Sequence, residues 1–484
     1  MPQGTAIKEF VIPEKYQSSI DSSRYSKFLR NYCQQPGIDY AVVTFPWHYD
    51  DLLGHLNLVS TNKEFQFYWE KPSESFAMAA GGHILKITKN GSTRFEDTYT
   101  AIETVKQRTA QFNAAASTNS GIHFLGGFSF FDEVHDAQWK DFSAASFILP
   151  KRLMIKKGDE VSVSIALSLP KNRSPEKIHQ KLLNELYALD EDTSYKQKKA
   201  DVYSNGSAQK SPFSTNGQYK KWVQSVAGAK QQIADKKMDK VVLSRQLKIS
   251  KSENNTPVDM LQKLRDQYPK CCSFLFKMKD APAFVGCSPE QLLSFQQNAL
   301  RTEALAGSIA RGKDEEEDAR FKNALLGSSK NNAEHQFVVQ SIEQDLAPFV
   351  KNMQRSEQPI IKKLANVQHL YTPVQAQMIG DKNPLTILGQ LHPTPAVGGY
   401  PRKIAVDYIK NNESLNRGWF ASPVGWINSE GAGDFTVAIR SGLIDKTNAL
   451  LFAGCGIVAD SNPETEWQET NLKFMPMLSA LNHD

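Results

Sequence analysis

At 484 residues the chain is long for one ordinary domain and ample for a large buried core, so two or three units are the starting expectation. Its composition, 40% hydrophobic and 23% charged, is that of a globular protein. Lys plus Arg exceed Asp plus Glu by 57 − 52 = +5, too mild a balance to mark a nucleic-acid partner.

In chain order, the segment "MPQGTAIKEFVIPEK" lacks the apolar core of a signal peptide, and no run reaches the length of a membrane span. Short apolar runs with turn signals follow. "FQFYWEKP", "SFAMAAGGHILKIT", "HFLGGFSFFDEV" and "FILPKRLMIKKGDEVSVSIAL" predict strands, several with period-two alternation, and "SPEKIHQKLLNELYAL" predicts a helix. A polar, basic, Ser- and Gly-rich stretch over 191–218 predicts a solvated linker between a strand-rich half, 1–190, and a second half, 219–484.

Past the linker, "QYKKWVQSVAGAKQQIADK" predicts a helix, "DKVVLSRQLKIS" a strand and "DMLQKLRDQYP" a helix. "CCSFLFKM", "AFVGCSP" and "QLLSFQQ" suit a meander, and "DEEEDARFKNALLGSSKNNAEHQFVVQSIEQDLAPF" is helical in pattern. The last third returns to strands before a terminal helix. Few strands are joined through helices, so the expected class is α+β, with large antiparallel sheets flanked by helices. Both halves contributing to one fold is as compatible with this pattern as two domains.

Common catalytic loops are missing. There is no Walker A loop, no G-x-G-x-x-G, no G-x-S-x-G and no H-E-x-x-H. The five cysteines, Cys33, Cys271, Cys272, Cys287 and Cys455, form no C-x-x-C and no zinc spacing, which fits a reducing, cytoplasmic setting.

Acidic residues carry more information. In "NNAEHQFVVQSIEQDLAPF" Glu334 stands four residues before Val338, on the apolar stripe of the predicted helix. A carboxylate there needs a partner, unless it only fills a frayed helix start, where the dipole favours acids. In "GCGIVADSNPETEWQETNLK", Ser461 or Asn462 can cap a helix that opens at Pro463. The helix dipole accounts for Glu464. Glu466, Glu469 and Lys473 fall on one face, at spacings of three and four. A plain Glu469–Lys473 salt link explains part of this; a hard divalent cation such as Mg²⁺ explains the rest.

The runs "DKVVLSR", "FVGCSPEQLL", "TEALAGSIARG", "AEHQFVVQ", "VQHL", "LHPTPAVGGYP", "RGWFASPVGW", "FTVAIRSG" and "GCGIVADSNPETEWQETNLK" occur in order between 239 and 473. Together they resemble the chorismate-utilising enzymes, with weaker echoes back to about residue 76. "LHPTPAVGG", "RGW" and "PVGW" look most like the isochorismate synthase branch. The resemblance implies the family fold, with a β-sandwich-like core, and Mg²⁺-dependent conversion of chorismate to isochorismate. Salicylate synthase, which goes on to eliminate pyruvate, is the alternative, and a non-catalytic chorismate-binding relative a more distant one. No amidotransferase nucleophile motif is present, so no glutamine amidotransferase partner is expected, and a monomer is favoured. The pathway served, whether menaquinone, siderophore or salicylate, stays open.

Carried over by residue, the resemblance makes Lys240 the general base that activates water and Glu290 the general acid for the departing hydroxyl. Glu334, Glu466 and Glu469 match metal positions. Gly307, Ser308, Arg440, Gly454, Cys455, Gly456 and Lys473 match substrate contacts, with Gly-Cys-Gly expected as an anion-binding loop. His369 lies in a family motif and faces the ring without an assigned proton role; His392 lies in another. Thr394 and Ala396 are expected in the pocket wall. Phe420 stands where relatives often carry Tyr, so a hydroxyl contact is lost there.

Overall fold

The alternating runs of the first half do form strands. The computed structural model describes residues 10–13, 21–49, 51–54, 56, 64–114, 120–171, 173–190, 216–365, 367–380 and 382–481. Within them the first-half strands are Tyr40–Trp47, Gln66–Lys71, Phe76–Lys89, Thr109–Asn113, His123–Phe128, Ala145–Lys157 and Glu160–Ser168. The linker expected over 191–218 lies outside the described residues as far as 215, and a helix is already under way from Asn216.

Two long sheets result. One runs in space through Thr109–Asn113, Tyr40–Trp47, Glu160–Ser168, Ala145–Lys157, Phe76–Lys89 and Gln66–Lys71. It continues through Cys272–Lys277, Ala283–Ser288, Ser441–Ile444, Asn448–Ile457, Lys240–Ser250 and the two-residue strand Gly399–Tyr400. The other starts from the opposite end of Ala145–Lys157 and runs through His123–Phe128, Pro423–Asn428, Ala432–Val437, Gln291–Gln296, Ala299–Ala310 and Val367–Met378. All these pairings except Tyr40–Trp47 with Thr109–Asn113 are antiparallel.

The strands Phe76–Lys89 and Ala145–Lys157 serve both sheets. Their register breaks between His83 and Leu85, where a bulge bends the pair from one sheet into the other. Phe274, Phe276 and Phe284 of the first sheet share one buried cluster with Leu293, Trp426 and Phe435 of the second. On the far face of the first sheet, Leu182 and Leu186 of the helix Pro175–Asp190, Leu261 and Leu264 of Pro257–Gln267, and Met477 and Leu478 of Pro463–Leu481 build a second core. The class is therefore α+β with large antiparallel sheets and helices outside them, and strands from both halves of the chain are neighbours in each sheet.

Among the described residues four helices went unread in the sequence: Ser22–Lys27, Arg94–Gln107, Pro384–Leu391 and Arg402–Asn412. The long acidic helix divides into Glu315–Gly327 and Ser329–Leu346, because Ser328 is extended and its side chain caps the second helix at the Asn331 N–H. No helix among the described residues is long and apolar enough to cross a membrane.

Candidate active site

Glu290 and Arg440 sit where the chain passes from one sheet to the other. Pro289 and Glu290 join Ala283–Ser288 to Gln291–Gln296, while residues 438–440 join Ala432–Val437 to Ser441–Ile444. The crossings are stitched together: the Val437 N–H and Thr436 Oγ1 donate to the Glu290 carbonyl at 3.1 and 2.5 Å, and the Cys287 N–H donates to the Arg440 carbonyl at 3.0 Å. Arg440 takes a left-handed φ of 51°, a strained conformation for a branchless but Cβ-bearing residue, and is buried.

Both side chains line a cleft of about 1020 Å³, counted out to its open mouth. Its other walls are the strand Ala299–Ala310, which bulges at Gly307 with φ 75°, the helix Ser329–Leu346, the end of Asn448–Ile457 and the first turns of Pro463–Leu481. Burial raises the Glu290 carboxyl, and the nearby Glu303 carboxylate adds to this; Lys362, Lys240 and Lys473 pull it back, leaving it at about 8.

Lys240 opens the strand Lys240–Ser250 and is completely buried. Its Nζ donates to Glu334 Oε1 at 2.6 Å. Gly456 explains why the two can meet there: a Cβ on it would lie 2.7 Å from Lys240 Cε and 3.2 Å from Glu334 Oε1. Burial pushes the Glu334 carboxyl up, but the Lys240 ammonium, through charge and hydrogen bond, and then Lys473 and Lys330, bring it below its usual value.

On the C-terminal helix Asn462 is the cap, its Oδ1 accepting from the Glu464 and Thr465 N–H groups. Glu464 turns outward to Gln468 Nε2, which donates to it at 2.8 Å, as the helix-start reading requires. Glu466 and Glu469 turn into the cleft. Lys473 Nζ lies 2.8 Å from Glu469 Oε1 and donates to the Gly454 carbonyl at 2.9 Å. Glu466 Oε1 is buried without a hydrogen-bond partner; its nearest cation is Lys330, at 3.7 Å. Burial, opposed by Ser461 and reinforced by Glu469, raises its carboxyl.

The site therefore pairs four carboxylates, Glu290, Glu334, Glu466 and Glu469, with four cations, Lys240, Lys330, Arg440 and Lys473. The donor set suits a hard divalent cation: three glutamates face one cleft, and one carries an orphaned buried oxygen. The oxygens do not yet converge, since among the described residues no three acidic, His or Cys side chains are gathered tightly enough to hold a metal. Lysines occupy Glu334 and Glu469 instead.

His369 forms the floor. Ser308 Oγ and His369 Nδ1 are 2.8 Å apart across paired strands, and the buried Nε2 has no partner. Burial, then the charges of Arg440 and Lys473, hold the imidazole down at about 3, so it is neutral. Phe420 stacks on Phe452 at 5.3 Å. Behind the wall, buried Arg417 donates to the Val242 and Val397 carbonyls at 2.7 and 2.8 Å and to Glu413 at 2.6 Å, tying the Lys240 strand to the 394–398 turn.

Of the residues expected at the site, Glu290, Gly307, Ser308, Glu334, His369, Ala396, Phe420, Arg440, Gly454, Gly456, Glu466, Glu469 and Lys473 all line the cleft, and Lys240 joins through Glu334. Cys455 and Thr394 do not line it. Cys455 sits between the glycines on a strand, so its side chain takes the opposite face and its Sγ meets the Glu466 carbonyl at 3.6 Å. The Thr394 carbonyl closes its own turn by accepting from the Val397 and Gly398 N–H groups. The expected Gly-Cys-Gly loop is in fact the end of a strand, paired residue by residue with Val242–Ser244. His392 also lies away from the cleft, its Nε2 3.3 Å from the Phe130 carbonyl. Lys330 and Asn331 are cleft residues the sequence reading missed, although Lys330 precedes Glu334 by one helical turn and that spacing marks it.

Comparison with known proteins gives the same assignment from outside the site. Residues 27–482 match the family model described as chorismate binding enzyme. The salicylate biosynthesis isochorismate synthase of Pseudomonas aeruginosa is 34% identical over 416 residues, covering 86% of this chain and 84% of that protein. Isochorismate synthase MenF of Bacillus subtilis is 32% identical over 431 residues, 86% of this chain and 88% of that one. Among solved structures, MenF, the menaquinone-specific isochorismate synthase from Escherichia coli, superposes with a TM-score of 0.73 at 24% identity, over 95% of this chain and 99% of that chain. Anthranilate synthase component I from Streptococcus pneumoniae shares the fold more loosely, with a TM-score of 0.66 and 21% identity over 83% of this chain and 92% of that one. The chain belongs to the family of chorismate-binding enzymes.

Proposed function

We propose that this chain is an isochorismate synthase, adding water at one ring carbon of chorismate while a hydroxyl leaves from another. The observation that carries the reading is a buried lysine, Lys240, and a buried carboxyl that its surroundings raise to about 8, Glu290, serving one cleft that also holds Arg440 and Lys473 for an anionic substrate. Lys240 takes the proton of the attacking water, and Glu290 gives its proton to the departing hydroxyl, which leaves as water. One water enters and one leaves, so the reaction is an isomerisation.

For the base role Lys240 Nζ must be released from Glu334 Oε1, which it meets at 2.6 Å, so that it can reach the attacking water. Arg440 presents a fork to one substrate carboxylate and Lys473 a point charge. The neutral His369 Nε2 offers a hydrogen bond without adding charge. Glu334, Glu466 and Glu469 would hold Mg²⁺, which, when bound, offsets their repulsion of the substrate. The same reading takes the enzyme to be a cytoplasmic monomer acting without an amidotransferase.

Incubation of the pure protein with chorismate and Mg²⁺, followed by chromatography, tests it. Isochorismate as the sole product is expected. Salicylate formed without an added lyase would move the assignment to salicylate synthase, and no consumption of chorismate would remove the enzyme reading.

A further inference from the structure

Glu290 is held by a pair of residues that lie outside the cleft lining. Glu303, on the strand Ala299–Ala310, is buried, and its Oε1 accepts from the Gln291 N–H at 3.0 Å. Lys362, on the short strand Ile360–Lys363, donates to the same Glu303 oxygen at 2.8 Å and to the Pro289 carbonyl at 2.9 Å. The two side chains thus grip the residues on either side of Glu290: the carbonyl before it and the N–H after it. Lys362 also lies 5.0 Å from the centre of the Tyr371 ring. Burial, followed by the Glu303 charge, pushes the Tyr371 phenol up to about 12.

We propose that Glu303 and Lys362 are positioning residues for Glu290, a charged clamp that fixes its place at the crossing between the sheets and sets two opposed charges beside its carboxyl. The proposal rests on the reading of Glu290 as the general acid. An isolated structural tie needs only the hydrogen bonds, which a glutamine at 303 keeps. The charges do something further: the Glu303 anion favours the protonated, donating form of Glu290, and the Lys362 cation opposes it. Lys240 and Lys473 oppose it as well, and Lys330, Arg440, Glu334, Glu466 and Glu469 line the same cleft; among the charges that act on the Glu290 carboxyl most, Glu303 is the anion set against three cations. Without it, desolvation alone would have to keep the acid protonated.

The test reads the Glu290 carboxyl directly, without turnover. The protonated-carboxyl band is followed by infrared difference spectroscopy through a pH titration, and its absence in Glu290→Gln assigns it. Glu303→Gln is expected to lower the midpoint, and Lys362→Met to raise it, each by about one pH unit, tenfold in proton affinity. Lys362→Arg, which keeps the charge, should return the midpoint to the wild-type value. Midpoints that stay at the wild-type value in both charge-removing variants, or that move in the same direction, overturn the proposal. Full turnover in Glu290→Gln would instead overturn the general-acid reading, while the titration still decides whether the clamp tunes the carboxyl.

Discussion

Lys240 and Glu334, 94 residues apart in sequence, meet at 2.6 Å in the space that Gly456 leaves by having no side chain. A Cβ at position 456 comes within 2.7 Å of Lys240 Cε, closer than packed atoms tolerate, so the lysine or the strand must shift. Gly456→Ala is therefore expected to lower kcat by about 10²-fold, since displacing a reacting group by about 1 Å has that order of effect. Steady-state kinetics checks it, with circular dichroism confirming the fold. Unchanged kcat would mean that the pair is not held by this approach.

Glu290 predicts a pH profile. As a donor it must be protonated, and its carboxyl is raised to about 8, so the competent form dominates at neutral pH and is lost as pH rises through about 8. The limb of kcat/KM falling near that value is expected to vanish in Glu290→Gln, whose residual rate is about 10²- to 10⁴-fold lower. A limb that persists unchanged in the variant belongs to another group.

Removal of divalent cations is expected to abolish turnover, and Mg²⁺ to restore it. Added Mg²⁺ should also raise the midpoint of thermal unfolding, because a ligand of the native state stabilises it. Glu334→Gln and Glu469→Gln should each need more Mg²⁺ for the same thermal shift. Their saturation curves, measured by scanning fluorimetry, contradict the metal assignment if they match wild type.

Much of this site was legible in the sequence, though not its geometry. The spacing of Glu466, Glu469 and Lys473 on one helical face needs only a count, and Asn462 and Pro463 announce where that face begins. Glu334 betrayed itself by standing on an apolar stripe. What local pattern could not show is set by distant pairing. Gly454–Gly456 has the composition of a loop, yet Val242–Ser244, some two hundred residues earlier in the chain, draws it into a ladder. That pairing turns Cys455 away from the cleft. Likewise Glu290 resembles an ordinary turn acid until two sheets close around it, and Glu303 with Lys362 had no local mark at all.

Buried neutral histidines predict acid lability. Burial holds His123 down at about 4 and His369 at about 3, against about 6.5 in an unfolded chain. Below pH 6.5 the unfolded state takes up protons that the folded state refuses, so this contribution to stability is complete above 6.5 and shrinks as pH falls toward 4. Each histidine accounts for about 1.4 kcal/mol per pH unit across that window. Urea unfolding at pH 7.5, 6 and 5 is expected to show falling midpoints, with a shallower fall in His123→Gln. An identical fall in that variant would exclude His123 as a source.

The most direct measurement is turnover of chorismate in ¹⁸O-enriched water with Mg²⁺, read by mass spectrometry of the product, for the wild type and Lys240→Ala. Water addition by Lys240 predicts isochorismate carrying one solvent oxygen per molecule, and a variant that still binds chorismate but forms no labelled product. Unlabelled isochorismate, or labelled product at the wild-type rate from Lys240→Ala, would contradict it.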